Sequence, residues 1–146
     1  MVLIGEFFLA DDDESARRVR PRVRHGFAAV ECDGTYPDDA VPRWERSLTG
    51  AESPHRAVVP MANDGFTVFA VPRPLAEALA GAATETSAEA GRERLRTAAG
   101  EWARVATEQG DDVSPERAAD LLERLSALAA DGKERGLALY CWYFAP

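Results

Sequence analysis

Leu137-Ala138-Leu139-Tyr140-Cys141-Trp142-Tyr143-Phe144 is apolar on both faces of an extended backbone. A strand with one wet face alternates polar and apolar side chains, whereas a run without that alternation is covered on both sides. This stretch therefore belongs in the middle of a sheet, with helices over one face and other apolar material over the opposite one. Alternation assigns Tyr140, Trp142 and Phe144 to one face and Cys141 and Tyr143 to the other. A central strand this late in the chain must be inserted between earlier ones.

Working back from it, four other runs qualify as strands. Val2 to Leu9 (VLIGEFFL) is β-branched and aromatic, with Leu3, Phe7 and Leu9 on one face. Phe27 to Cys32 closes at the turn pair Asp33-Gly34. Ala57 to Ala62 and Phe66 to Val71 flank Asn63-Asp64-Gly65, residues that accept left-handed backbone, and so predict a hairpin. Pro60 has no N–H to give to a ladder, which places the first arm at a sheet edge.

After Pro72 the apolar period becomes helical. Pro74 suits a first helical position, with Leu75, Leu79 and Ala82 or Ala83 on one face. Thr86-Ser87-Ala88-Glu89 matches a capping box with Thr86 as the cap. The helix it opens runs to about Gln109, with Leu95, Ala98, Trp102, Val105 and Ala106 as its buried stripe. Ser114-Pro115 opens a third helix, with Leu121, Leu122, Leu125 and Leu128 inward and Gly132 at its end. Thr35 to Pro54, with Pro37, Pro42, Gly50 and Pro54, reads as a long loop with one helical turn around Trp44. The fold expected is a single α+β domain over 1–146. It has a mixed or mostly antiparallel sheet of about four to five strands, a C-terminal block of three helices on one face, and the last strand (137–144) central.

At 146 residues and 46% hydrophobic content, the chain is long enough for one core. Sixteen arginines against one lysine, Lys133, express a compositional bias, so arginine abundance alone carries no functional meaning. Their clustering does. Arg17, Arg18, Arg20, Arg22 and Arg24 follow one another with no acid between, directly behind Asp11, Asp12, Asp13 and Glu14. Without those five charges the remainder stands at -13, against -8 for the whole chain. Asp13 can cap a short helix from Glu14 to Arg20 that Pro21 would stop, but the alternation favours an extended edge, on which the even-numbered arginines form a ladder roughly 20 Å long. Guanidinium groups pair bidentately with carboxylates and phosphates. Arg18, Arg20, Arg22 and Arg24 are thus candidates for holding an anionic ligand or an acidic partner surface, unless the preceding acids neutralise them internally. A strongly anionic body repels phosphates, so nucleic acid is not an expected partner.

His25, directly behind the ladder, is the candidate acid–base group, although no orienting carboxylate stands at a recognisable spacing. Trp44, flanked by Arg43, Glu45 and Arg46, has the composition of an interface anchor or of a loop pinned to the core. Glu31, Asp33, Asp38 and Asp39 supply oxygen atoms around one turn, but their spacing fits no EF-hand, and no metal is expected. Cys32 and Cys141 form no CxxC pair and read as buried thiols, which suits a reducing cytoplasm. The N-terminal apolar run is too short for a bilayer and lacks a basic flank, so no membrane is expected. There is no glycine-rich phosphate loop, GxSxG, HExxH or familiar Cys–His pair, and no cofactor is expected.

Two function classes remain. The first is a small acidic binding or regulatory protein that acts on another protein, an inhibitor or immunity-type protein being one form, because complementary fields speed association. The second is a small-molecule-binding protein or minor enzyme whose anionic substrate is held by the Arg17–Arg24 segment beside His25. Docking of an acidic patch from a second copy on the ladder would also give a homodimer.

Overall fold

The structure, a computed structural model, describes residues 3–21 and 23–145. Its sheet has five strands: β1 (Ile4–Ala10), β2 (Ala29–Glu31), β3 (Arg56–Val59), β4 (Phe66–Ala70) and β5 (Ala138–Phe144). Their spatial order is β2-β1-β5-β4-β3, and every pairing is antiparallel. β5 is central as its two-sided apolar pattern requires. It pairs with β1 from Ile4 opposite Phe144 to Ala10 opposite Ala138, and with β4 on its other side. β3, the arm followed by Pro60, is an edge.

The described residues also form five helices: α1 (Asp13–Arg17), α2 (Pro37–Thr49), α3 (Arg73–Ala83), α4 (Ala88–Glu108) and α5 (Pro115–Arg135). α2 to α5 pack on one face of the sheet around Phe7, Leu9, Phe69, Cys141 and Tyr143. The opposite face carries a smaller core in which Phe8, Tyr140, Trp142, Phe66 and Val68 meet Ala16 and Val19 from α1 and the residues just after it. Phe8 lies between Tyr140 and Phe27 at centroid distances of 5.8 and 5.9 Å. α1 and its sequel are thus the apolar cover that β5 demands on its second face.

Three local expectations are corrected. Thr35 to Pro54 is not a long loop, since its larger part is the 13-residue α2. Pro37 occupies a first-turn position, where its missing N–H costs nothing. Ala40, Val41 and Trp44 are buried at helical spacing, and Leu48 packs behind them. Pro42 lies inside the helix, so its first turns do without one hydrogen bond. The expected C-terminal block of three helices, α3 to α5, is therefore joined on this face by a fourth helix, α2. The cap of α4 is Ser87, whose side chain accepts from the Ala90 N–H, and not Thr86 one residue earlier. α5 runs past Gly132 to a left-handed cap at Gly136 (φ 71°). Gly132 is small for another reason: a Cβ there would stand 2.7 Å from Leu9 Cδ2.

Candidate functional site

The acidic run Asp11 to Glu14 is largely consumed within the molecule. Asp12 caps α1 by accepting the Ser15 N–H at 2.8 Å. Arg56 donates to Asp13 through both terminal nitrogens, at 2.6 and 3.1 Å, and the Tyr140 hydroxyl donates to the same carboxylate at 2.8 Å. Glu14 takes Arg17 at 2.9 Å and Arg18 at 3.9 Å.

With a cap in front and Ala16 buried beneath, the start of the arginine segment coils into α1 instead of extending. No ladder forms over the described residues. Arg17 ends the helix, and exposed Arg18 turns back towards Glu14. Arg20 donates to the carbonyls of Arg17 and Val19 at 2.7 and 2.8 Å and sets its guanidinium 5.9 Å from the Phe66 ring centroid. Arg24 is exposed, and Arg22 lies outside the described residues.

His25 has the orienting carboxylate that spacing did not reveal. Its Nε2 is 2.9 Å from Glu6 Oε1, and its Nδ1 accepts the Phe27 N–H at 3.2 Å. An acceptor at Nδ1 puts the proton on Nε2, so the imidazole donates to Glu6. The same Glu6 oxygen also accepts from Trp142 Nε1 at 3.0 Å. Both ring nitrogens are therefore engaged, and the ring is flanked by Phe8 and Phe27 at 5.8 and 5.5 Å. Proton transfer at His25 would require one of these bonds to open. The arrangement fastens residues 23–28 to the sheet.

The Asp13 cluster is the titrating part of this face. Hydrogen bonds from Arg56 and then Tyr140 hold the Asp13 carboxyl at about 2, below its ordinary range. Burial, followed by the bond and charge of Asp13, pushes the Tyr140 phenol up to about 12. A depressed carboxyl stabilises the fold above the unfolded-state pKa of about 4, and that contribution is lost as pH falls to about 2. Because the Asp13 side chain is 42% exposed, screening keeps the contribution below about 1 kcal/mol. Asp13→Asn is expected to remove that component. Urea unfolding from pH 5 to pH 2 should then show a shallower acid loss than the parent chain, and an identical slope would refute the assignment.

Trp44 stands on α2 and is fully buried, so it offers no exposed surface to a partner. It contacts Phe7 at 5.9 Å and Trp102 edge-on at 5.1 Å, and its indole N–H has no partner among the described residues. Trp44 thus ties a helix, and not a loop, to the core.

The four acids around the second turn separate. Asp38 and Asp39 enter the first turn of α2, where negative charge favours the helix dipole. Glu31 and Asp33 instead line a groove of about 540 Å³ with Asp112, Glu116 and Asp120, which the α4–α5 link and α5 bring across from the far end of the chain. Arg117 and Arg124 also line it, and Arg124 is tied to Asp120 at 3.1 Å. Tyr36, next to the groove residue Thr35, is 53% exposed. Asp33 is fixed by accepting the Gly5 N–H at 3.0 Å. No group of three His, Cys, Asp or Glu side chains among the described residues converges as a metal site would need. Sequence reading noticed Glu31 and Asp33 but not the groove, because the second wall, Asp112, Glu116 and Asp120, is remote in the chain.

No family model matches the chain, and neither a curated protein nor a solved structure shows significant similarity to it. Function must then be argued from geometry and charge.

Proposed function

We propose that this chain is a small acidic binding protein whose partner is another protein, engaged by laying a basic segment of that partner into the groove between the turn after β2 and the start of α5. The observation that supports this most is the groove itself: five carboxylates from separate parts of the chain line it, against two arginines, one of which pairs with Asp120 of the five. Lysine and arginine side chains of a partner would form charge-assisted hydrogen bonds there. The -8 net charge adds a long-range field that raises the encounter rate. Tyr36 supplies an amphipathic side chain of the type that anchors interfaces. An inhibitor or immunity-type protein against a basic toxin has these requirements.

The competing reading, an anion held by the Arg17–Arg24 segment beside His25, has less support, because Arg17, Arg18 and Arg20 are engaged within the molecule and both nitrogens of His25 are occupied. Among the described residues no helix is long and apolar enough to cross a membrane. Cys32 and Cys141 are free and buried, and burial pushes the Cys141 thiol up, which suits a reducing compartment such as the cytoplasm.

The test is fluorescence anisotropy with a short peptide rich in lysine and arginine. Two variants are compared with the parent: Glu31→Gln/Asp112→Asn/Glu116→Gln in the groove, and Glu89→Gln/Glu93→Gln/Glu108→Gln on the outer side of α4. The groove variant is expected to lose about tenfold or more in affinity at low salt, and the α4 variant to retain most of it. Equal losses in both variants would mean that net charge alone attracts the peptide, and the reading would fail.

A further inference from the structure

A second cavity, of about 520 Å³, lies on the helix side of the sheet between α2 and the β3–β4 hairpin. Its polar lining comes from Asp38, Glu45, Ser53, His55, Thr67 and Tyr143, and no lysine or arginine lines it. Glu45 is fully buried. Its Oε1 accepts the Ser53 N–H at 2.7 Å and its Oε2 accepts the Ser53 hydroxyl at 2.6 Å. Among the described residues neither Glu45 nor Asp38 has a basic side chain within ion-pair distance, whereas the adjacent Asp39 takes Arg43 at 3.8 Å.

A carboxylate buried this deeply and met only by neutral donors lacks electrostatic compensation. The cavity beside it can supply that compensation if its occupant is cationic. The rest of the wall suits such an occupant. Phe69 and the His55 ring lie 5.0 Å apart between centroids, Met61 stands half exposed beside them, and aromatic faces attract organic cations. Burial, then the charge of the neighbouring Asp38 carboxylate, pushes the Tyr143 hydroxyl well up, so it remains a neutral group in the wall.

We propose that this cavity is a binding site for a small organic cation, an ammonium group on an apolar body, with Asp38 contacting the charge and Glu45 reinforcing it from behind Ser53. The site is separate from the acidic groove, whose lining shares none of these residues. A purely structural Glu45, tethering the segment after α2 through Ser53, is distinguished by Glu45→Gln. The amide can still accept from the Ser53 N–H and donate to the Ser53 hydroxyl, so the tether survives and only the charge is lost.

The experiment titrates the full chain with phenethylamine hydrochloride, and with sodium phenylacetate at the same ionic strength as the anionic counterpart, reading thermal midpoint and two-dimensional NMR shifts. Phenethylammonium is expected to raise the midpoint saturably and to shift resonances of His55, Phe69 and Tyr143. Phenylacetate should do neither. Glu45→Gln and Asp38→Asn should each weaken the apparent affinity about tenfold. Asp38 is exposed, so its variant folds irrespective of any stability effect at Glu45 and decides the matter alone if Glu45→Gln does not fold. The proposal is overturned if the amine gives no saturable effect, if phenylacetate matches it, or if Asp38→Asn binds like the parent.

Discussion

Trp44→Ala is expected to lower the unfolding free energy by about 3–5 kcal/mol, the range for removing a large buried aromatic. Trp44 is fully buried and joins α2 to β1 through Phe7 and to α4 through Trp102. The remaining buried apolar side chains of α2 are small by comparison: Pro37, Ala40 and Val41. With domain stability commonly about 5–15 kcal/mol, the loss would leave α2 poorly attached. Trp44→Phe should cost far less, since it keeps most of the ring packing and removes an indole N–H whose unsatisfied burial itself costs about 1–3 kcal/mol. Urea denaturation of the two variants measures both terms. A deficit under about 1 kcal/mol for the alanine variant would show that α2 is held by something else.

The second large effect is expected at Gly91, where α4 crosses α3. A Cβ built at Gly91 overlaps the carbonyl oxygen of Ala82. Backbone cannot rotate away as a side chain can, so the two helices must separate, and overpacking of this kind costs about 3 kcal/mol or more. Separation would also strain the buried bond in which the Ser126 hydroxyl of α5 donates to the Leu79 carbonyl of α3 at 2.6 Å. Gly100→Ala, in the same helix with open space around the added carbon, should instead stabilise by about 0.5–1 kcal/mol. Opposite signs of the two changes in midpoint are the expected result, and a neutral Gly91→Ala would refute the close crossing.

The sheet was legible because each strand carries its own signal. Two-sided apolarity located β5 at the centre, Asn63-Asp64-Gly65 marked the hairpin, and Pro60 marked its edge. Helix α2 was hidden by its prolines. Pro37 has the look of a breaker but serves as a starter, and Pro42 is tolerated at the cost of a hydrogen bond that tertiary burial of Trp44 offsets. The alternation of the arginines suggested an extended ladder, but a local cap at Asp12 and burial of Ala16 outweighed it. Charge partners could not be read at all. Glu6 meets His25, Asp13 meets Arg56, and Glu31 shares a groove with Asp112 only through the topology of the sheet and the return of α5. Ion pairs between remote residues leave no periodicity, so chemistry built from them appears only once the fold is in hand.

The central place of β5 also bears on how the protein is made. β5 leaves the ribosome after every strand it joins, and its ladder with β1 ties Ile4 to Phe144. Until then the edges of β1 and β4 that β5 joins have no partner in the chain. Such edges recruit other chains by edge pairing, and closure over so long a sequence separation is slow. Yield on expression should therefore depend on how long those two edges stand open before β5 arrives, and not on the stability of the finished sheet alone.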